Sequence, residues 1–104
     1  MANRPQGCQS LVMSADGVVV AEVAGLNKPV YALIVATNGA TVGDIVVLRD
    51  GGATGKVKVK FRVTSATGTQ VVDLGRYGVN FSSGIYYSEL ATAALKIETT
   101  VIYG

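Results

Sequence analysis

The chain has 104 residues, of which 49% are hydrophobic and 15% are charged, and its formal net charge is +2. This length accommodates a single domain, and so small a net charge excludes a strong electrostatic drive toward nucleic acids. The chain contains no histidine, which excludes histidine-based nucleophilic sites and the usual zinc sites. An ordinary soluble domain has about 25% charged residues. We therefore expect part of the surface to be covered, for example by further copies of the chain.

Residues 1–17 have no regular hydrophobic period and contain turn-forming residues such as Pro5 and Asp16-Gly17. We predict an extended N-terminal arm here, followed by a sandwich domain over residues 18–104. No apolar run resembles a secretory signal or reaches the roughly 18 residues of a membrane-spanning helix, so neither export by that route nor membrane contact is expected. The single cysteine, Cys8, excludes an intrachain disulfide and is interpreted as a small apolar residue, with an intersubunit contact as the alternative.

From residue 18 onward, β-branched and aromatic runs alternate with turn-forming residues such as Asn38-Gly39 and Asp50-Gly51-Gly52. The predicted strands lie at residues 18–23, 30–37, 44–49, 56–64, 69–74, 79–81, 85–90 and 95–103. Short strands at this spacing are typical of an all-β protein. They predict a single antiparallel β-sandwich of about 7–8 strands, either jelly-roll-like or immunoglobulin-like.

Residues 56–63 alternate strictly between cations and apolar residues. Because side chains alternate sides along a strand, the cations are predicted to share one face about 20 Å long. This basic stripe consists of Lys56, Lys58, Lys60 and Arg62. It is interpreted first as a solvated face that prevents aggregation through strand edges, and second as a contact for an acidic protein surface. Nucleic acid is the least favoured partner, because no aromatic residues are interleaved for base stacking.

Three further residues are candidate partner contacts. Tyr86 and Tyr87 are adjacent, so in a strand one side chain faces the core and the other faces outward, where it either contacts a partner or covers a sheet edge. In the last predicted strand, Ile102 falls on the outward side together with Lys96, Glu98 and Thr100. An apolar side chain on that otherwise polar side indicates a subunit contact.

Residues 50–57 superficially resemble a phosphate-binding P-loop. Asp50 stands where the motif requires glycine, Val57 stands where it requires Ser or Thr, and a strand follows where it requires a helix. The segment is therefore predicted to be a hairpin turn, with Asp50 as a local turn cap. The carboxylates fall singly along the chain, which predicts neither a catalytic pair nor a metal site. We predict no catalytic residues, no metal, no cofactor and no enzymatic activity.

Several segments together resemble small virion proteins of tailed bacteriophages, which are β-sandwich modules. The resemblance covers about residues 28–103 and consists of a rhythm of strands and turns without a diagnostic site. The segments that carry it are Val30–Val35, Asn38–Thr41, Asp44–Gly51, Gly78–Tyr87 and Val101–Tyr103.

This resemblance implies a non-enzymatic structural protein of a virion that assembles in the host cytoplasm. The first interpretation is a capsid decoration or cement protein, a homo-oligomer with a trimer favoured, that binds and stabilises the shell of major capsid proteins. The first alternative is a neck, tail or fibre component of the same virion. The second is a carbohydrate- or protein-binding β-sandwich module, although the chain lacks tryptophan, which sugar-binding faces usually expose.

Overall fold

A computed structural model describes residues 8–90 and 96–104. These residues form strands and no helix, and so the described chain has no helix long and apolar enough to cross a membrane. The strands are β1 (Gln9–Met13), β2 (Gly17–Val20), β3 (Lys28–Asn38), β4 (Ile45–Asp50), β5 (Lys56–Arg62), β6 (Thr67–Asp73), β7 (Val79–Phe81), β8 (Ile85–Leu90) and β9 (Ile97–Tyr103).

The strands pair as one long antiparallel ribbon that is folded at the β4–β5 turn. Going outward from that turn, β4 pairs with β5, β3 with β6 and the short β7, β2 with β8, and β1 with β9. The ribbon then rolls up, because β3 also pairs with β9 and β4 also pairs with β8. The result is a five-stranded sheet with the order β1-β9-β3-β6, to which β7 is joined through β3, and a four-stranded sheet with the order β2-β8-β4-β5.

One apolar core lies between the inner faces of the two sheets. Leu33 and Val101 contribute to it from the five-stranded sheet, and Val46 and Leu48 contribute from the four-stranded sheet. Burying a side chain of this size stabilises the fold by about 1.5–3 kcal/mol relative to leaving it exposed. The prediction of an all-β protein is therefore confirmed, and two antiparallel sheets that pack together are consistent with a β-sandwich.

Each predicted strand corresponds to an observed one. The bounds of β7 and β8 agree residue for residue with the predictions. The second strand ends at Val20 and not at residue 23, and beyond it the amide of Val23 donates to the carbonyl of Ser83 in a loop contact at 2.7 Å. The last strand begins at Ile97, and its predicted first residue, 95, lies outside the described residues.

The N-terminal segment differs most from the prediction. Residues 9–13 of the predicted arm form β1, an edge strand whose Gln9 lies opposite Tyr103 and whose Met13 lies opposite Thr99. Met13 also packs against the core. The first strand of the described chain therefore begins at Gln9, whereas the sequence predicted the first strand at residue 18. Such a short strand has little local signal, because strand preference depends on the neighbours it packs against. Residues 1–7 of the predicted arm lie outside the described residues.

Candidate interaction surfaces

The basic stripe lies on β5, the edge strand of the four-stranded sheet, and its side chains are all exposed. The register shifts between the pair Leu48–Val59 and the pair Arg49–Val57, so that Lys58 has no residue opposite it. One extra residue on one strand of an antiparallel pair is a β-bulge, which locally re-aims the side chains. The strict alternation that the sequence predicts is therefore interrupted at Lys58.

The bulge divides the basic stripe into two parts. Lys60 and Arg62 lie opposite Val47 and Ile45, which are on the outer side of β4. Lys56 lies opposite Asp50, which is on the same side of β4 as the core residues Val46 and Leu48. This corrects the prediction of four cations on one continuous face. We define the cation row as the three exposed cations from the bulge onward, which are Lys58, Lys60 and Arg62.

No carboxylate within residues 8–90 and 96–104 forms an ion pair with the cation row. Arg62 Nη1 instead donates a hydrogen bond to the carbonyl oxygen of Gly43, at 3.5 Å. Adjacent members stand about 6.8 Å apart along the strand, so the row is about 14 Å long. The surface of this edge strand is thus positively charged and is not neutralised by its own surroundings.

Tyr86 and Tyr87 lie on opposite faces of β8. Tyr86 is half-buried on the outer face, opposite Arg49 of β4 and Val18 of β2, and it stays a candidate contact. Tyr87 is fully buried in the core. A partner therefore has no access to Tyr87, and it is removed from the candidate contact residues.

The Tyr87 hydroxyl joins the two sheets through the core. It donates a hydrogen bond to Glu89 Oε2 at 2.7 Å, and the hydroxyl of Thr99 in the five-stranded sheet lies 2.8 Å away. Because the phenol has one hydrogen, Thr99 donates in the second bond. Burial raises the pKa of Tyr87, which keeps the phenol protonated. Burial also raises the pKa of Glu89, and the charges of Asp16 and Asp44 raise it further.

Asp50 holds the turn that carries the chain from the five-stranded to the four-stranded sheet. Its carboxylate accepts hydrogen bonds from the Ser82 amide at 3.1 Å, the Ser82 hydroxyl at 2.9 Å and the Ser83 amide at 2.8 Å. Desolvation raises the pKa of Asp50, but these bonds outweigh it and leave the pKa below its ordinary value. Asp50 therefore caps a remote turn between β7 and β8, and not the local turn that the sequence predicted.

The segment that resembles a P-loop is the hairpin between β4 and β5. The amide of Gly55 donates to the carbonyl of Gly52 at 2.9 Å, and Arg49 Nη1 donates to the carbonyl of Gly55 at 3.1 Å. A Cβ atom at Gly55 would overlap the carbonyl oxygen of Asp50, so this position requires glycine. The prediction of a hairpin turn is confirmed.

The outer face of the five-stranded sheet carries a partly apolar surface, of which the sequence predicted only Ile102. Pairing places Val12, Thr100, Ile34 and Val71 in one row across β1, β9, β3 and β6. Val12 is 54% exposed and Val71 is 67% exposed. We define the uncharged face as this row together with Ala32 and Ile102 of the next row, so that its members are Val12, Ala32, Ile34, Val71, Thr100 and Ile102. Two exposed carboxylates on the same side of the sheet border it, Asp73 opposite Ala32 and Glu98 two residues before Thr100.

Val12 and Val71 are the most exposed members of the face, whereas Ile34, Thr100 and Ile102 are partly buried and Ala32 is buried. Exposed apolar side chains on one surface are typical of a protein-binding site. The only trace of this face in the sequence is that apolar residues adjoin each other, as in Ile34-Val35 and Val71-Val72. Such pairs put one apolar residue on each side of a strand, and alternation does not decide which side is buried. The pairing of β3 with β6 and β9 decides it, because Val35 then faces the core and Ile34 faces outward.

The described residues contain no group of three or more candidate ligands that could hold a metal ion. No protein-family model, curated protein or solved structure matches this chain. The functional interpretation therefore depends on the fold, the uncharged face and the cation row.

Proposed function

We propose that this protein is a non-enzymatic structural component of a virion, a capsid decoration protein that binds and stabilises the shell of major capsid proteins. The observation that carries the proposal is the uncharged face. Val12 and Val71 stand at opposite ends of its central row and are more than half exposed, at 54% and 67%. A surface of Val, Ile and Thr side chains suits burial against another protein.

We infer that the fold is of the jelly-roll type and not immunoglobulin-like. The nested pairing supports this inference, because β4–β5 is the innermost pair, β1–β9 is the outermost, and the ribbon rolls into two sheets. If the short β7 is set aside, two four-stranded sheets remain, as in a jelly roll. Jelly rolls occur in viral capsid proteins and also in lectins. The fold is thus compatible with a virion structural protein and with a carbohydrate-binding module, and the choice between them depends on the surface residues.

The proposed mechanism is burial of the uncharged face against neighbouring shell subunits. A contact that covers both Val12 and Val71 spans β1, β9, β3 and β6. Binding to the assembled shell, and not to separate subunits, stabilises the assembled state by mass action. The proposed function therefore requires no catalytic residue, only a surface that is repeated over many copies.

Particles assembled with and without the protein test this proposal. We expect packaged DNA to be released at a lower temperature from particles that lack it, and equal release temperatures would contradict a stabilising role. Immunogold labelling tests its location. Label over the whole head supports decoration, label at one vertex or along the tail supports the neck, tail or fibre alternative, and unlabelled particles leave the binding module, which a glycan array then tests.

Matched variants test whether the uncharged face makes the contact. Val12→Lys and Val71→Lys should each weaken binding to particles that lack the protein by at least about tenfold, because burying an unpaired ammonium group is costly. Val42→Lys is the control, since Val42 is 61% exposed but lies outside the uncharged face. If Val42→Lys weakens binding as much as Val71→Lys, the loss is a general charge effect and the uncharged face is not the contact.

A further inference from the structure

We propose that the free edge of β5 binds an extended acidic segment of another protein, which adds to the four-stranded sheet as a further strand. The ligand is defined by its chemistry, as a segment in which acidic residues alternate with apolar ones. Main-chain hydrogen bonds give affinity in this mode of recognition, and alternate side chains give specificity. The inference does not depend on the virion proposal, because it concerns the other sheet and a different set of residues.

The backbone of β5 presents its free hydrogen-bonding groups at two of the cations. The amide of Val63 donates to the carbonyl of Asp44 at 2.8 Å, and the carbonyl of Val63 accepts from Gly43 at 2.9 Å. Residues of an antiparallel strand direct their amide and carbonyl groups to alternate sides. Lys60 and Arg62 therefore direct theirs away from β4. Because β5 ends the strand order of its sheet, no neighbouring strand of the described chain takes up these groups.

The side chains at these two positions specify the charge of the ligand. In an added antiparallel strand, the residues opposite Lys60 and Arg62 would lie on the same face, with Cβ atoms about 4.5–5.5 Å apart. Acidic residues there would form two cross-strand ion pairs. Phe61 lies between the two cations and is only partly buried at the edge of the core. An apolar ligand residue that faces inward would cover it.

The cation row also excludes other strands. A second copy of β5 would place like charges opposite each other, which destabilises pairing, and charged edges prevent aggregation for this reason. An acidic strand is attracted to the same cations. Because the cation row repels basic strands and attracts acidic ones, the edge is selective for an acidic partner. The bulge at Lys58 ends the regular register. The ligand segment should therefore be short, about five residues.

Fluorescence anisotropy of the full chain with a labelled peptide tests the proposal. The peptide has the core Glu-Val-Glu-Val-Glu, and we expect saturable binding that weakens as salt is raised from about 20 mM to about 500 mM. A peptide with N-methylated amides at the pairing positions should bind at least about tenfold more weakly, because it cannot form the ladder bonds. No binding at millimolar peptide, or equal binding of the N-methylated peptide, would overturn the proposal.

Two variants and a matched control locate the contact. Lys60→Gln and Arg62→Gln should each weaken binding about two- to fivefold, as expected for exposed ion pairs. Lys56→Gln changes an exposed cation on the same strand beyond the bulge and should leave binding unchanged. Equal losses in all three variants would overturn pairing at the edge. Displacement of the peptide by duplex DNA at a lower concentration than by unlabelled peptide would overturn it in favour of nucleic acid. Neither outcome bears on particle binding through the uncharged face.

Discussion

The two sheets of this protein have similar inner faces and different outer surfaces. The uncharged face of the five-stranded sheet leaves Val12 and Val71 more than half exposed, at 54% and 67%. The free edge of the four-stranded sheet instead carries the cation row, which has no ion-pair partner in the described part of the chain. The inner faces resemble each other because both must fill the same core. The outer surfaces are free of that requirement, and they differ in charge and in exposed apolar area.

This difference also predicts how copies of the chain would meet. Two cation rows repel each other, so β5 is protected against edge-to-edge pairing. The uncharged face carries charge only at its borders, at Asp73 and Glu98, and its apolar side chains gain about 25 cal/mol for each Å² of surface removed from water. In the absence of a shell, association between copies should therefore use the uncharged face, which the shell would otherwise cover, and leave the cation row accessible.

The largest expected effect is on the free energy of unfolding, and it differs between the inner and the outer face of β3. Leu33 is fully buried and its neighbour Ile34 lies on the uncharged face. Leu33→Ala should lower the free energy of unfolding by about 2–5 kcal/mol through the cavity it leaves, whereas Ile34→Ala should cost less than about 1 kcal/mol. Urea unfolding measures both.

Protein concentration sharpens this comparison. If copies bury the uncharged face against each other, the cost of Ile34→Ala should grow as the protein concentration rises, because association is linked to folding. Equal costs for Ile34→Ala and Leu33→Ala at every concentration would contradict the assignment of the two faces.

The next effect concerns the hydrogen bond that joins the two sheets. Tyr87→Phe removes the hydroxyl between Glu89 and Thr99, and it leaves the fully buried Thr99 hydroxyl without this partner. We expect a loss of about 1–3 kcal/mol in the free energy of unfolding. Tyr86→Phe is the matched control on the outer face, and it should change stability by less than about 0.5 kcal/mol. Similar losses for both variants would mean that the inter-sheet bond contributes little.

The smallest effect concerns the carboxylate that holds the turn between the sheets. Asp50→Asn keeps one acceptor oxygen but loses the charge that strengthens the bonds from Ser82 and Ser83. Because Asp50 is only partly buried and its bonds from Ser82 are exposed, we expect a loss of about 1 kcal/mol near neutral pH.

The pH dependence of that loss gives the sharper test. The pKa of Asp50 is lower in the folded chain than its ordinary value of 3.8. Its contribution to stability is therefore complete above pH 3.8 and is lost as the pH falls through the lowered pKa. The stability difference between wild type and Asp50→Asn should accordingly shrink below that pH. Asp73→Asn, which loses the charge on a carboxylate that accepts one local bond from Gly75, is the control and should have a smaller effect. A difference that is constant with pH would contradict the role of the charge.

The local sequence predicted the strands well and the surfaces in part. The bounds of β7 and β8 agree with the prediction, because turn-forming residues bracket each run of β-favouring ones. The outward position of Ile102 followed from alternation alone. Alternation also separated Tyr86 from Tyr87 but did not decide which of the two is buried. That decision depends on which strands lie on either side of β8.

The sequence by itself determined the all-β class, the positions of the turns and the exposure of the cations, because each follows from residues within a few positions of one another. The tertiary structure alone decided that β1 belongs to a sheet, that a bulge at Lys58 removes Lys56 from the row, and that Asp50 caps a turn 32 residues away. It also decided which side of β3 and β6 forms the uncharged face. These features depend on pairing between distant segments, and a short strand acquires its register only from the neighbours it bonds and packs against.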